Sequence, residues 1–418
     1  MVATKAPAHH GALGAILDAS AITPRYQPIV RLVDGATVGY EALSRGPAGH
    51  LLESPVALFA AARDEEEATR LDWACQRAAL QGALASEHKD LTLFVNVEPL
   101  TLARERPHDL DALAAEVARR GQLVLEITER ALTDRPAEVL ANVRRAKRQG
   151  WRIAVDDVGA DERSLALLPF LDPDVIKLDL RLVQARPDRE IAATMTAVLA
   201  AAERTGAAVL AEGIETEAQR ATALGLGATL GQGYRYGRPG PLPPGGGQAA
   251  PIRFPRRAEA KLVHSPFGLL AAARIAQTST KSLLVAMSKH LEEQASRLSP
   301  PGVVVSCFQL AEQFSSDTVR RYRRLATASP LVVALGREMT DEPAPGVRGG
   351  DIAPDDPLVE QWAVAVVGPH YAAALVAHDL GDRGPASGRR FDAIVTHDRE
   401  LALGVARSLL SRLRSPAG

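Results

Sequence analysis

Short apolar runs, each ending on one polar side chain, recur through the N-terminal part of this chain. Glu41-Ala42-Leu43 opens the series. Leu91–Val95 runs into Asn96, Leu123–Leu125 into Glu126, and Ile153–Val155 into Asp156 and Asp157. Val175-Ile176 runs into Lys177, Ala207–Ala211 into Glu212, and Gln232 closes Ala228–Gln232. From Asn96 onward the gaps between these polar residues are 30, 30, 21, 35 and 20 residues. Each interval is about one strand plus one helix. In a closed parallel barrel, successive strands bring their C-terminal ends to one face, and chemistry collects there.

The segments between fit that rhythm. Leu91–Val97, Leu123–Thr128, Arg152–Asp156, Asp174–Leu178 and Ala207–Ala211 read as strands. Leu110–Arg120, Pro136–Gln149, Arg189–Arg204 and Thr216–Leu224 read as amphipathic helices, with Pro136 suited to a first turn and Gly150 to a C-terminal cap. The expectation is an α/β fold: an N-terminal extension of residues 1–22, then a TIM-like (β/α)8 barrel over residues 23–239. Nine of the thirteen residues from Pro239 to Pro251 are Pro or Gly, which predicts a linker over residues 240–261. Residues 262–412 read as a second, smaller α/β domain. Its expected helices are Lys281–Arg297, Ser316–Ala328 and Arg399–Arg412, and its expected strands are Val303–Phe308, Leu331–Gly336, Trp362–Val367 and Tyr371–His378.

Composition narrows the function. With 418 residues, 46% of them hydrophobic and 24% charged, the chain has room for two folded cores. A net charge of −1 argues against nucleic-acid polymers or membrane surfaces held by bulk charge. Trp362–His378 carries no formal charge, but it is shorter than the roughly 20 residues a spanning helix needs, and Gly368-Pro369-His370 interrupts it. Two buried strands and no membrane insertion are expected there. Met1–Ala21 lacks a basic segment followed by an apolar core, so a cytoplasmic protein is expected. Cys75 and Cys307 have no metal-ligand spacing and read as buried thiols.

On a shared barrel mouth, Glu41, Glu126, Asp156, Asp157 and Glu212 would converge with Asn96, Gln232 and Lys177. So many carboxylates cannot stay ionised together without counter-charge, and divalent cations supply it. Two ions about 3.5–4 Å apart need a bridging carboxylate and further oxygen ligands; they polarise a phosphoryl oxygen and lower the pKa of a bound water. Each acid alone reads as a solvated or salt-bridged residue, and recurrence along the strand ends carries the sharper reading. Lys177 reads as a salt-bridge partner or, within the series, as the residue that positions or deprotonates the attacking water.

The segments Tyr26-Gln27-Pro28-Ile29, Glu41-Ala42-Leu43-Ser44-Arg45, Phe94-Val95-Asn96-Val97 and Leu125-Glu126-Ile127-Thr128-Glu129 appear in order. Asp156-Asp157-Val158-Gly159, Ile176-Lys177-Leu178-Asp179, Ala211-Glu212-Gly213-Ile214-Glu215-Thr216 and Gly231-Gln232-Gly233-Tyr234 follow. Over Thr23–Pro239 the chain thereby resembles the EAL family of cyclic di-GMP phosphodiesterases. The resemblance implies hydrolysis of cyclic di-GMP to linear pGpG with two Mg2+ or Mn2+ ions per site. It implies that Glu41, Asn96, Glu126 and Asp156 hold one ion, and that Asp156 bridges to a second ion also held by Asp157. Lys177 is similar to the residue contacting the nucleophilic water, with Glu212 and Gln232 completing the site. Gln27 and Arg45 resemble contacts to a guanine and a phosphate, and a guanidinium fork suits the latter. After the Asp pair the family continues with an aromatic residue and a Gly, Tyr, Ser, Ser stretch. Val158-Gly159-Ala160-Asp161-Glu162-Arg163-Ser164 stands here instead. In the family that loop joins the metal site to a dimer interface, and Glu129 resembles the residue that steadies it. All inferred ligands are present, so catalysis is expected, and the departure bears on its coupling to a homodimer.

Ser265-Pro266-Phe267, Thr280-Lys281-Ser282-Leu283-Leu284 and Phe308-Gln309 make Leu262–Leu410 similar to DICT sensory domains. The basic run Arg320, Arg321, Arg323 and Arg324 reads as a solvated helix surface, and His370, His378 and His397 as histidines with ordinary partners. The alternative function is a catalytically silent cyclic di-GMP receptor that signals through the second domain.

Overall fold

The computed structural model describes residues 10–62, 64–98, 101, 104–128, 131–186, 188–244, 252–255, 265–382 and 389–413. Eight strands close a barrel in chain order: β1 (Thr23–Arg31), β2 (Thr37–Arg45), β3 (Thr92–Asn96), β4 (Gln122–Thr128), β5 (Arg152–Val158), β6 (Val175–Leu178), β7 (Ala208–Ala211) and β8 (Leu230–Gly231). Neighbours from β2 to β8 pair in parallel. The all-parallel expectation fails at β1, which runs antiparallel to both β2 and β8. The cause is the connection: only residues 32–36 separate β1 from β2, with Gly35 at φ 72°. A parallel pair needs a crossover of a dozen residues or more, so a turn this short can only reverse the chain.

The predicted helices form outside the barrel. Pro136–Arg148 buries Val139, Leu140, Val143 and Ala146 along one face. Arg189–Thr205 begins where the Asp188 side chain accepts from the Ile191 N–H and ends at left-handed Gly206. Glu217–Gly225 starts from a capping box between Thr216 and Gln219. Inside, Ile29, Phe94, Val124, Ala154, Val175, Leu210 and Leu230 form a floor. Ile252, within the Pro/Gly-rich linker, is buried against that floor, and Phe254 packs beside it.

The second domain is a seven-stranded sheet of β9 (Gln277–Thr280), β10 (Val303–Leu310), β11 (Val332–Arg337), β12 (Arg348–Asp351), β13 (Gln361–Val367), β14 (Ala372–Asp379) and β15 (Arg390–Thr396). The spatial order is β12-β11-β10-β13-β14-β15-β9. β13 and β14 are the antiparallel strands expected across Gly368-Pro369-His370. No described helix is long and apolar enough to cross a membrane. Alternation along β10 and β13 sends Val303, Val305, Ala363 and Ala365 to one face, under helix Arg399–Leu410. It sends Val304, Val364 and Val366 to the other, under helices Lys281–Ala295 and Ser316–Ala328.

Helix Arg399–Leu410 also meets the barrel. Arg407 Nη2 donates to the carbonyls of Pro169 (2.6 Å) and Phe170 (3.2 Å), at the end of the β5–β6 connection. Arg348 Nη1 donates to Thr133 O at 2.6 Å, and Arg204 Nη2 to Pro369 O at 3.3 Å. Cys75 and Cys307 are buried free thiols, and burial pushes both up to about 12.

Candidate active site

Strand alternation assembles the site, because residues two apart on a strand share a face. Asn96, Glu126, Asp156, Lys177, Glu212 and Gln232 each stand two positions beyond a floor residue, so all point inward one layer nearer the C-terminal rim. β1 runs the other way. Gln27, two positions before Ile29, therefore joins the same layer and pairs in register with Glu41 of β2.

Lys177 occupies the centre. Its side chain is 1% exposed, and Nζ lies 2.7 Å from Glu212 Oε1, 2.9 Å from Glu126 Oε1, 3.1 Å from Asp156 Oδ1 and 3.7 Å from Glu41 Oε2. Burial alone would favour the neutral amine. Asp156, Glu126, Glu212 and Glu41 outweigh it and hold the pKa well above the usual lysine value, so Lys177 is a cation.

The acids around it differ by their donors. Burial pushes Glu41 up, but Lys177, the Gln232 amide, the neighbouring Glu126 and the Asn96 amide overcome it: Gln232 Nε2 donates to Oε2 at 2.6 Å and Asn96 Nδ2 to Oε1 at 3.0 Å. The result lies below the usual carboxylate range. Gln232 Nε2 also donates to Gln27 Oε1 (3.0 Å), and Gln27 Nε2 to Gly237 O (3.1 Å), which fixes both amides. Among the described residues Glu126 has no amide donor, and it meets Lys177 as an ion pair at 2.9 Å. Burial, then repulsion from Glu41, drives it well above the carboxylate range. Burial is also the main reason Glu212 rises to about 8.

Asp156 and Asp157 separate at a register break in β5 between Val155 and Val158. Asp157 adopts φ 56°, its N–H donates to Asp156 Oδ1 at 2.9 Å, and the local irregularity leaves Asp156 facing Lys177 while Asp157 is exposed. Arg45 ends β2 and donates to Ser44 O at 2.8 Å; no hydrogen bond or ion pair joins it to the acids among the described residues. Glu129 lies outside the described residues.

Among the described residues, no three His, Cys, Asp or Glu stand as a ready-made metal cage. The point where the acids converge holds the Lys177 ammonium instead. The donor chemistry still fits a hard divalent cation, being all oxygen. Among the described residues, Glu126 Oε2 and Gln232 Oε1 are buried without hydrogen-bond partners, the condition that a bound ion or water relieves.

Sequence reasoning missed the layer behind the site. Asp72, on helix Glu65–Leu84, is buried; its Oδ2 accepts from Gln76 Nε2 at 2.8 Å and from the Glu98 N–H at 3.3 Å. Burial lifts its carboxyl to about 7. The Asp72–Gln76 spacing of one helical turn was its only trace in the sequence. The basic run is solvated as expected except at Arg321, which pairs with buried Glu292. His378 packs on Phe267 and His397 on Tyr371.

Residues 12–239 match the EAL domain family, and residues 269–380 match the sensory domain in diguanylate cyclases and two-component systems, DICT. Cyclic di-GMP phosphodiesterase RocR of Pseudomonas aeruginosa is 32% identical over 231 residues, 54% of this chain and 59% of that protein. Probable cyclic di-GMP phosphodiesterase PdeB of Escherichia coli is 30% identical over 223 residues, 52% of this chain and 42% of that protein. The chain thus spans less than two thirds of each relative. A solved manganese and cyclic di-GMP complex of Klebsiella pneumoniae BlrP1 is 28% identical, with a TM-score of 0.47 over 52% of this chain and 56% of that one. The family match covers more than half of the chain and contains every strand of the barrel and every acid around Lys177: the chain belongs to the EAL domain family and carries a C-terminal DICT sensory domain.

Proposed function

We propose that the barrel hydrolyses cyclic di-GMP to linear pGpG with the help of divalent metal, and that the second domain regulates it. The observation that carries this reading is the buried Lys177 ringed by four strand-end carboxylates. The relatives' names supply the substrate. Glu41, Asn96, Glu126, Asp156 and Asp157 would hold Mg2+ or Mn2+, which when bound activates water and polarises a phosphoryl oxygen.

The chain's own residues divide the remaining work. A general base must exchange its proton near the working pH. Lys177, held cationic, does not meet that condition; it orients the water and stabilises developing negative charge. Glu212, 2.7 Å from Lys177 Nζ and outside the set that would hold metal, takes the proton-accepting role. Asn96 and Gln232 keep Glu41 ionised and oriented, and Gln27 and Arg45 face the substrate at the rim. A homodimer belongs to the same proposal.

Incubating the purified chain with cyclic di-GMP and Mg2+ or Mn2+ should yield pGpG by chromatography, and Glu41→Ala should abolish it. A folded protein that makes no pGpG with either metal would sink the proposal. One observation favours the second reading, a silent cyclic di-GMP receptor: the stretch Val158–Ser164 after the Asp pair departs from the family pattern. Tight calorimetric binding without turnover, indifferent to metal, would support that reading instead.

A further inference from the structure

The sheet of the second domain holds the barrel-docking helix on one face and a cavity on the other. The cavity, about 180 Å³, lies between helices Lys281–Ala295 and Ser316–Ala328 near the end of β10. Part of its wall is aromatic: Phe308, Trp362 and Phe391 line it, the last two edge to face with centroids 6.2 Å apart. Its buried hydroxyl is unused. Ser288 lines the cavity at 4% exposure, and its Oγ has no hydrogen-bond partner among the described residues. A mid-helix serine usually satisfies itself by donating to the carbonyl one turn back, and an unmade buried hydrogen bond is destabilising.

Charge adds a direction. Buried Glu292 is neutralised by Arg321, Nε to Oε2 at 2.7 Å, and Asp317 pairs with Arg320. Lys281 and Lys289 then leave the lining positive. Gln309, also on the wall, holds a left-handed φ of 63° at the register break between β10 and β11. Non-glycine residues keep such a conformation where surroundings over-determine it, and these places concentrate at binding sites.

We propose that this cavity binds a small aromatic carboxylate, with its ring against Phe308, Trp362 and Phe391 and its anionic group met by the Ser288 hydroxyl and the Lys281 and Lys289 ammonium groups. Inorganic phosphate would leave the aromatic wall unused. An aromatic cation would meet like charge. A dinucleotide is too large, since an apolar cavity of about 150 Å³ holds a single benzene ring. The proposal is independent of the barrel's chemistry.

The test is isothermal titration calorimetry on the full chain with benzoate, 4-hydroxybenzoate and phenylacetate, and with benzamide and inorganic phosphate as controls. At least one acid should bind saturably at one site, and benzamide and phosphate about tenfold more weakly or worse. Ser288→Leu, which fills the cavity, should abolish binding. The surface pair Lys281→Met with Lys289→Met, which leaves the core intact, should weaken it at least about tenfold. No saturable heat from any acid up to about 10 mM would overturn the proposal. Binding that survives both variants, or benzamide binding as tightly as the acids, would overturn it equally.

Discussion

Replacing Lys177 with Met keeps the length of the stem and removes the charge that four carboxylates share. Breaking a buried ion pair from one side costs about 3–5 kcal/mol, because the partner is left charged and uncompensated. Here the partners have an escape, since a carboxylate can take up a proton. Glu126 already lies well above the carboxylate range and Glu212 at about 8. A folded-state carboxyl pKa above its unfolded value means that the folded state binds more protons, so stability is greatest at low pH and falls as pH rises through the folded pKa. Losing Lys177 raises these pKa values further and steepens the fall, by about 1.4 kcal/mol per pH unit for each extra proton retained. The expected loss is about 3–5 kcal/mol near pH 8 and about 0.4 kcal/mol less near pH 6, since Glu212 at about 8 has only half a proton left to take up. Urea melts in EDTA, followed by Trp73 and Trp151 in a Trp362→Phe background, measure it in the barrel alone. A loss below about 1 kcal/mol at both pH values would refute the central-cation account, since no buried pair would then have been broken.

Three further outcomes follow from the same geometry. Asp72, ionised above about 3.9 when unfolded and at about 7 when folded, contributes stability that is complete below pH 4 and lost as pH rises to 7. Asp72→Asn should flatten that slope by up to about 4 kcal/mol in denaturant midpoints taken across this window; an unchanged slope would contradict the burial argument. Glu126→Gln removes a buried acid that lacks a hydrogen-bond donor, so near pH 8 the fold should be at least as stable while pGpG formation drops by about two orders of magnitude or more. Arg407→Ala leaves the Pro169 and Phe170 carbonyls without their donor and should loosen domain docking by about 1.5–3 kcal/mol, read as faster hydrogen exchange over Leu168–Leu171.

The barrel and its acids were legible because one signal served both. An apolar residue, a neighbour, then a polar residue, as in Phe94-Val95-Asn96 or Val124-Leu125-Glu126, encodes a buried strand and the direction of its last inward side chain together. The antiparallel β1 escaped because hairpin and crossover differ only in loop length, and strands before Glu41 were not separated. Ile252 escaped because one apolar residue after a Gly-rich run has no period to detect. In the second domain β13 and β14 were plain from their apolar runs. β9, β12 and β15 were not: Gln277–Thr280 has no buried residue, Arg348–Asp351 is half glycine, and Arg390–Thr396 interleaves Asp392 with its apolar positions. The electrostatic roles were the least readable. Whether Lys177 is a base or a fixed cation depends on distances to four side chains from four other strands, and no local pattern carries those.

The connection that departs from the family pattern is among those the second domain touches. From Asp157 the chain passes through a one-turn helix, Glu162–Ala166, into Leu168–Leu171, where Arg407 takes two carbonyls. Helix Arg399–Leu410 lies on the sheet face opposite the cavity, so the sheet and this helix stand between the cavity and the β5–β6 connection. Contiguity of this kind is an association; coupling requires that an intermediate element have two arrangements that both sites bias. Arg407 touches none of the acids around Lys177, so its loss tests the contact alone. If Arg407→Ala frees Leu168–Leu171 without changing the turnover of cyclic di-GMP, the contact is a structural anchor only. If exchange and turnover shift together, the β5–β6 connection is the element through which the second domain acts.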